Sequence, residues 1–256
     1  MPTLLLRLSG PLQSYGTTSH WEERSTSNRP TKSAVAGIIA SALGLERDDD
    51  MSDFRALRFA VRADRPGSLM TDEQSAGGGD YSLPPLDAIR TGPRATDPLA
   101  WYGAPRAPEP GPHGTLTAPW HTENARTPVL ITKQYLANAA FLAGFSTDDH
   151  QLAERLHAAL AAPRRTLYLG RRTCIPAHPV AYGITPHSHD QWPHHIPLLP
   201  ESTTPSPHVW WETLPAPGTT ASPEQVPTTF LLRDYPLLHL RTHQVSPPPA
   251  TPESTP

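Results

Sequence analysis

TKSAVAGIIASALG, residues Thr31–Gly44, is the clearest helical pattern in the chain. Its apolar side chains recur at steps of one and three residues, so they form one stripe along an α-helix. Thr31 suits the N-cap, because its hydroxyl can accept a hydrogen bond from a free backbone N–H, and Gly44 suits the C-terminal stop. Gly37 lies inside the helix, where glycine costs about 1 kcal/mol relative to alanine, so we expect another backbone to approach it closely.

Shorter periodic segments lie on both sides of this helix. The alternating residues Leu4, Leu6 and Leu8 indicate a strand with one buried face. In chain order, the sequence predicts a strand at Thr3–Ser9, then the helix, then a strand at Leu57–Ala63. One long strand or a hairpin follows at Val129–Phe145. The pattern ends with a helix that is capped by Thr147–Asp149 and closed by Pro163, and with a strand near Val180–Ile184. This order is most of a ferredoxin-like βαββαβ unit, so we predict an α+β fold.

The remaining sequence interrupts this core and extends it. The chain contains 33 prolines and 16 glycines, many of them outside the periodic segments. Residues 65–127 have little periodicity and are too long for a simple connection, so we predict an insertion there. The expected organisation is a core over 1–185 interrupted by the insertion at 65–127, a small Pro-rich and mainly β region at 186–243 with a strand at Phe230–Leu240, and a disordered tail at 244–256.

Charge is segregated along the chain, although the net charge is only -3. No carboxylate occurs in Met1–His20, in Arg24–Leu45 or in Arg155–His189. Local clusters of basic residues matter more for nucleic-acid binding than the net charge does. The single cysteine, Cys174, excludes an internal disulfide and a multi-cysteine metal site. No apolar run approaches the ~20 residues of a membrane span, so we expect a cytoplasmic protein without a membrane partner.

The strongest candidate for a binding site is Arg164–Thr173. Four arginines lie between Arg164 and Arg172, and planar guanidinium groups match the oxygens of a phosphate. Gly170 allows a backbone to approach a ligand closely, and Tyr168 could stack on an unpaired base. These features predict RNA binding, but from the residue types alone a solvated basic loop is an equal alternative.

A second candidate segment, Arg24–Ser33, leads into the helix. A helix N-terminus presents unpaired N–H groups and a partial positive charge, which suit a phosphate. The segment carries Arg24, Arg29, Lys32 and Ser33. The solubility of the helix explains a lysine and a serine in the first turn equally well, so this alternative also stays open.

Other reactive groups give weaker signals. His187, His189, His194 and His195 have spacings seen in zinc sites, but they lie among prolines with no cysteine nearby. Cys174 beside two arginines could act as a nucleophile, although a buried inert cysteine is the more common case. Asp48–Asp50 is best interpreted as the start of a short helix. We therefore predict no catalytic residue, no metal and no cofactor.

Several short motifs together resemble the family-five CRISPR-associated proteins, the CasD subunits of the type I-E Cascade complex within the RAMP superfamily. They are LLLRLSGPLQSYG (4–16), RPTKS (29–33), Gly37, ALGL (42–45), RDD (47–49), YLGRRTC (168–174) and HP (178–179). They occur in the order of the family and at similar spacing. The resemblance covers 1–64 and 128–183 well and 186–256 poorly.

The resemblance implies an RNA-recognition-motif-like core with a thumb-like hairpin inserted at 65–127. It also implies a non-catalytic antiviral-defence subunit that caps the 5′ handle of the CRISPR RNA (crRNA). The implied partners are the backbone, large and small subunits, the repeat endoribonuclease subunit and, within the complex, target DNA. By motif, Gly170, Arg171 and Arg172 match the glycine-rich loop of the family, and Arg29, Thr31, Lys32 and Ser33 match the start of its first helix. Arg90, Arg94 and Arg106 correspond to the thumb by region only.

One rival function is a metal-independent endoribonuclease, because relatives in another CRISPR subtype cut the precursor RNA themselves. Such cleavage needs a positioned general base and groups that stabilise developing charge. The candidates in this chain are Tyr15, His20 and Lys32, but they do not occur in the arrangement of that subtype. A binding subunit is therefore the favoured prediction.

Overall fold

The computed structural model describes residues 1–16, 23–76, 109–110, 116–117, 129–232 and 234–250. The chain divides into two compact units. The first consists of Met1–Ser19, Ser25–Thr71 and Gln134–Pro256, and the second of His20–Arg24 and Asp72–Lys133. None of the helices in the described ranges is long and apolar enough to cross a membrane.

The described elements are both helices and strands. In chain order they are β1 (Thr3–Ser9), β2 (Leu12–Gln13), β3 (Glu23–Arg24), α1 (Lys32–Leu43), α2 (Ser52–Ala56), β4 (Arg58–Arg65), β5 (Ser68–Ala76), β6 (Glu109–Pro110), β7 (Leu116–Thr117), β8 (Val129–Ala137), β9 (Ala140–Ser146), α3 (His150–Ala161), β10 (Ala181–Thr185), α4 (Trp192–His195), β11 (His208–Thr213), β12 (Thr220–Ser222) and β13 (Leu238–Gln244). The predicted strand at Thr3–Ser9 and the helix that ends at Gly44 are confirmed.

A seven-stranded antiparallel sheet forms the centre of the first unit, in the order β10-β1-β9-β4-β11-β13-β12. β1 lies between β9 and β10, and its register with β9 runs from Thr3↔Ser146 to Ser9↔Ala140. The two long helices, α1 and α3, pack against one another. The protein is therefore a mixed α+β protein built on an antiparallel sheet.

The region predicted as one long strand or a hairpin is neither of these. β8 and β9 are two strands separated by Asn138, which has a φ of 54°. β9 pairs with β1 and β4, whereas the end of β8 pairs with β2 in the first unit. The apolar pattern runs through both strands and so conceals the change of sheet.

One face of the sheet packs against the helices. Leu4, Leu6 and Leu8 are buried on this side together with Ile39 of α1, as their alternation predicts. Gly37 of α1 does not meet a backbone as expected. Its neighbour is the ring of Phe230, whose Cζ would lie 3.5 Å from an added Cβ.

The opposite face of the sheet is covered by the chain after β10. Trp192 of α4 is fully buried beside Leu5 and Leu142. Gly144 makes room for the indole, because a Cβ at this position would lie 2.7 Å from it. Arg62 of β4 is also fully buried, where it forms an ion pair with Asp64 at 2.6 Å. Its guanidinium donates to the carbonyl oxygens of Pro193, Ile196 and Pro197 at 3.0, 2.7 and 2.8 Å.

The C-terminal chain continues the same sheet, because β11 pairs with β4 and β13 pairs with β11. The predicted strand at Phe230–Leu240 is shifted, since β13 begins only at Leu238. Part of the predicted tail is ordered by contacts. Val245 is buried and its N–H donates to Pro207 O at 3.1 Å, while Pro248 O accepts from the N–H of Leu198 at 2.9 Å. Residues 251–256 lie outside the described residues.

The predicted insertion at 65–127 overlaps the second unit. There β3 pairs in parallel with β8, with Arg24 opposite Lys133. β6 and β7 form a short antiparallel pair. Arg90, Arg94 and Arg106 lie outside the described residues.

Trp192→Ala is expected to lower the free energy of unfolding by roughly 3–5 kcal/mol, because it removes a large side chain from a closed core. Chemical denaturation of the purified chain measures this loss. Leu214→Ala is the control, because Leu214 is 82% exposed and its truncation should change stability by less than about 0.5 kcal/mol. Equal stability of the two variants would show that Trp192 does not close this face.

Candidate nucleic-acid interface

The glycine loop, Leu169–Cys174, is a closed turn that is tied to the protein at both ends. Leu169 and Cys174 are fully buried. The N–H of Leu169 donates to Cys174 O at 2.7 Å, and the N–H of Cys174 donates to Arg171 O at 2.8 Å. Leu169 O accepts from the N–H of Ser14 at 3.0 Å, just after β2. The loop is therefore held in one conformation against the chain around Ser14.

Gly170 is required by this docking. Its φ is +97°, in the left-handed region that side chains other than glycine rarely adopt. A Cβ at this position would lie 1.7 Å from Ser14 O. The close approach predicted at Gly170 is therefore made to the protein's own backbone. This close approach holds the loop in contact with the segment after β2.

The two arginines of the loop have different environments. Arg171 is half-buried, and its Nη1 donates to Gln134 O at 3.0 Å. Its guanidinium lies 4.8 Å from the ring centroid of Tyr135, within the range of a cation–π contact. Arg172 is exposed. Tyr168, immediately before the loop, is half-buried. Arg171 thus belongs to the framework of the loop, and Arg172 presents its charge to solvent.

Arg164 and Arg165, which precede the loop, lie at the C-terminus of α1. Arg165 donates to Leu45 O at 2.7 Å and to Gly44 O at 3.1 Å, and it pairs with Glu46. The backbone N–H of Arg164 donates to Ala42 O at 2.9 Å. Cations at a helix C-terminus satisfy its last carbonyls and complement its dipole. This half of the basic run therefore has a structural role.

The basic residues at the start of α1 are paired inside the protein. Thr31 is the N-cap as predicted, and its hydroxyl accepts from the N–H of Ala34 at 3.2 Å. Arg29 is buried and forms a bidentate ion pair with buried Glu224, with N···O distances of 2.7 and 2.5 Å. It also lies 5.7 Å from the ring centroid of Trp210. Its charge is therefore neutralised within the fold.

Lys32 has the same kind of environment. Its Nζ is buried, 2.9 and 3.1 Å from the two carboxylate oxygens of Glu212 and 3.0 Å from Arg55 O. Burial lowers the pKa of Lys32, and the carboxylate of Glu212 opposes that shift. Ser33 is half-buried, and its N–H donates to Glu224 O at 3.0 Å. Arg24 is exposed in β3, which belongs to the second unit.

The acidic partners Glu212 and Glu224 were not among the predicted site residues. They lie 180 and 195 residues from the cations that they bind, in a region that the family motifs cover poorly. No local pattern connects such distant positions.

Two of the residues considered for RNA cleavage, Tyr15 and Lys32, lie inside the protein. Tyr15 is buried, and its hydroxyl donates to Gln13 Oε1 at 2.7 Å. Burial raises the pKa of Tyr15 well above its usual range, which disfavours its ionised form. Gln13 is in turn held by Leu8 O and Ala139 O at 3.1 and 2.8 Å. Tyr15 is therefore part of a buried hydrogen-bond network, and His20 lies outside the described residues.

The histidines and the cysteine also have structural environments. His187 and His195 stack with ring centroids 4.5 Å apart. Buried His189 lies 3.2 Å from Glu212 O, and burial lowers its pKa to about 4. Across the described part of the chain, no group of three or more His, Cys, Asp or Glu side chains could hold a metal ion. Burial raises the pKa of the Cys174 thiol, which disfavours the thiolate that a nucleophile requires.

Comparisons with known proteins agree with these motifs. The family model Cas_Cas5d, CRISPR-associated protein (Cas_Cas5), matches residues 3–234. The CRISPR system Cascade subunit CasD of Escherichia coli (strain K12) is 30% identical over 186 residues, which are 70% of each chain. A chain of a CRISPR RNA-guided surveillance complex superposes with a TM-score of 0.69 at 27% identity, over 98% of this chain and 95% of that one. A crystal structure of a Cas protein superposes with a TM-score of 0.66 at 28% identity, over 98% and 99%.

This chain belongs to the Cas5 family of CRISPR-associated proteins. The resemblance stated from its short motifs is confirmed.

Gly170→Ala is expected to destabilise the protein more than Gly218→Ala. Both glycines have a positive φ, +97° and +81°, so both substitutions strain the backbone by roughly 1–2 kcal/mol. Of the two, only Gly170 faces a clash, because beyond the two chain neighbours of Gly218 no heavy atom lies within 4 Å of its Cβ position. Thermal unfolding measures the melting temperature of each variant, and the difference between the two reports the clash apart from the backbone strain. Equal melting temperatures would contradict the docked geometry of the loop.

Arg29→Ala and Glu224→Ala should each lower the free energy of unfolding by roughly 3–5 kcal/mol, because each leaves one buried charge without its partner. The double variant should lose much less than the sum of the two, since no unpaired charge remains. A double-mutant cycle by urea denaturation measures this coupling. Additive losses would show that the two side chains do not interact with each other.

Proposed function

We propose that the chain is a non-catalytic RNA-binding subunit of a type I-E CRISPR Cascade surveillance complex, in which it caps the 5′ handle of the crRNA. The observation that carries this proposal is the exposed Arg172 on a loop that is rigidly docked through Gly170. A fixed, solvent-facing guanidinium suits a phosphate oxygen. The named relatives, a Cascade subunit and a chain of an RNA-guided surveillance complex, support it.

We further propose that the core is ferredoxin-like, as in RNA-recognition motifs. The strand order β10-β1-β9-β4, with α1 after β1 and α3 after β9, supports this assignment. The thumb-like insertion proposed at 65–127 falls between β4 and β9, the second and third strands of that core. Weaker RNA contacts are proposed there for Arg90, Arg94 and Arg106.

RNA is proposed to bind at the edge of the core and not on the sheet face opposite the helices. In RNA-recognition motifs, aromatic side chains on the sheet stack on the bases. Here the corresponding face is covered by Trp192 and by the carbonyl groups that bind Arg62. The glycine loop lies outside this covered region and retains an exposed cation. Stacking by Tyr168 next to Arg172 would complete a contact to one nucleotide.

The other predicted RNA contacts differ in what supports them. Arg171 holds the loop through Gln134 and Tyr135, so we propose that it acts mainly by positioning Arg172. The charges of Arg29 and Lys32 are neutralised by Glu224 and Glu212, which leaves them a supporting role. Thr31 and Ser33 remain proposed contacts by their match to the family motifs alone. Arg24 remains one only as a basic residue of the segment that leads into α1.

The proposed role includes no RNA cleavage. Tyr15 and Lys32 are buried, so neither can reach a ribose hydroxyl without unfolding its surroundings. Incubation of the purified chain with labelled repeat RNA tests this point directly. Specific cleavage that disappears on Tyr15→Phe or His20→Ala would establish the endoribonuclease function instead.

Within the complex, the proposed partners are crRNA, the backbone, large and small subunits, the repeat endoribonuclease subunit and target DNA. Among these, crRNA is the partner for which we propose a specific group on this chain, Arg172.

Arg172→Ala is expected to weaken binding of the 5′-handle RNA about tenfold, since it removes one charge-assisted hydrogen bond. The slope of log K against log salt should fall by about 0.7, the value for one phosphate on a single strand. Filter binding by the assembled complex at several salt concentrations measures both quantities. Arg47→Ala is the matched control, because Arg47 is an exposed arginine outside the loop. The same affinity and salt slope in both variants would overturn the proposed site.

A further inference from the structure

A groove lies between α1, α2 and α3, on the helical side of the first unit. This helix groove has a volume of about 500 Å³. Its floor is apolar and includes Leu43, Leu45, Phe54, Leu152, Leu156 and Ala159. Phe54 and Leu156 are buried beneath it, whereas Leu43, Leu45, Leu152 and Ala159 are only half-buried. The half-buried leucines give the groove an apolar surface that solvent still reaches.

The two sides of the helix groove carry opposite charges. Asp50 and Asp53 line the side formed by α2 and the turn before it, and both are exposed. Asp50 is fixed in place, because it accepts from the N–H and the hydroxyl of Ser52 at 2.9 and 2.7 Å. Arg155 and Arg164 line the side formed by α3 and the chain that follows it, and both are exposed.

This pattern disfavours RNA or DNA as the occupant. A phosphate backbone would meet the two carboxylates on the acidic side, and Asp48 and Asp49 add two further exposed acids to the same turn. The apolar floor also offers no hydrogen-bond donor for a phosphate. An occupant must bury apolar side chains and carry charges of both signs.

We propose that the helix groove binds an amphipathic segment of another protein subunit. Its apolar side chains would fill the floor, a basic residue would face Asp50 and Asp53, and an acidic residue would face Arg155. Binding of an amphipathic helix in an apolar groove follows the same rules, with complementary charges fixing its direction. This inference rests on the proposed membership of a multi-subunit complex, and it names a surface distinct from the glycine loop.

The test is assembly of the full chain, affinity-tagged and co-expressed with the other protein subunits and the CRISPR RNA of its own system. Ala159→Trp should fill the groove and reduce recovery of one partner subunit at least fivefold. Ala158→Trp is the matched control on the same helix, because Ala158 is exposed and does not line the groove. It should assemble like the wild type. Equal assembly of both tryptophan variants would overturn the inference.

A second pair of variants covers the case in which Ala159→Trp fails to fold. Asp53→Lys and Arg155→Glu change only exposed charges, so the isolated variants should unfold at the temperature of the wild type. Each should reduce recovery of the same partner subunit several-fold, and the loss should ease as salt rises. If both variants assemble fully at low salt, the charged sides do not bind a partner.

Photo-cross-linking in the intact complex identifies the occupant. A benzophenone side chain at position 164, an exposed position on the side of the groove that leaves its floor open, should cross-link to an apolar and charged segment of one protein subunit, and one at position 158 should not. A cross-link from position 164 to RNA, to a second copy of this chain or to nothing would overturn the inference. If the wild-type chain itself recovers no partner, the proposed function fails. If the wild type assembles and the groove variants assemble equally, only the groove assignment fails.

Discussion

The ion pair between Arg29 and Glu224 joins the start of α1 to the C-terminal chain. Both side chains are buried, so each carries a large desolvation cost that only the other offsets. Lys32 and Glu212 repeat the arrangement one turn further along. β11 and the segment before β13 therefore stabilise helix α1 in its place on the sheet. The elements that form the first and last parts of the chain thus depend on each other.

The local elements were predictable from the sequence, because periodicity reports which face of an element is buried. Thr31 and Gly44 bound α1 as expected, and Leu4, Leu6 and Leu8 point to one side of the sheet. Pairings between distant segments were not predictable. The carboxylate partners of Arg29 and Lys32 follow almost two hundred residues later, and nothing in the first segment specifies them. The sequence therefore predicted exposed cations where the structure has neutralised ones.

Because a local pattern does not show which distant segments pair, two of the predicted elements were also wrong. The apolar run at 129–145 continues through Asn138, so its pattern does not show that β8 and β9 join different partners. In the C-terminal chain, apolar residues at 230–237 were interpreted as strand. Phe230 instead packs near Gly37, and the hydrogen-bonded strand begins at Leu238. At 129–145 the apolar pattern predicts the burial of β9 correctly but not its pairing partners. At 230–237 it fails for burial as well, because Leu231, Leu232 and Leu237 are exposed.

The covered face of the sheet limits how far the chain can be shortened. A truncated version ending near residue 185 would retain all four strands of the proposed core, yet it would leave Leu5, Ala60 and Leu142 facing water and Arg62 without its carbonyl partners. Such a fragment would expose an apolar sheet face that promotes aggregation, not a recognition surface. Any reduced version for crystallisation or engineering must therefore extend through Val245, whose side chain completes that cover.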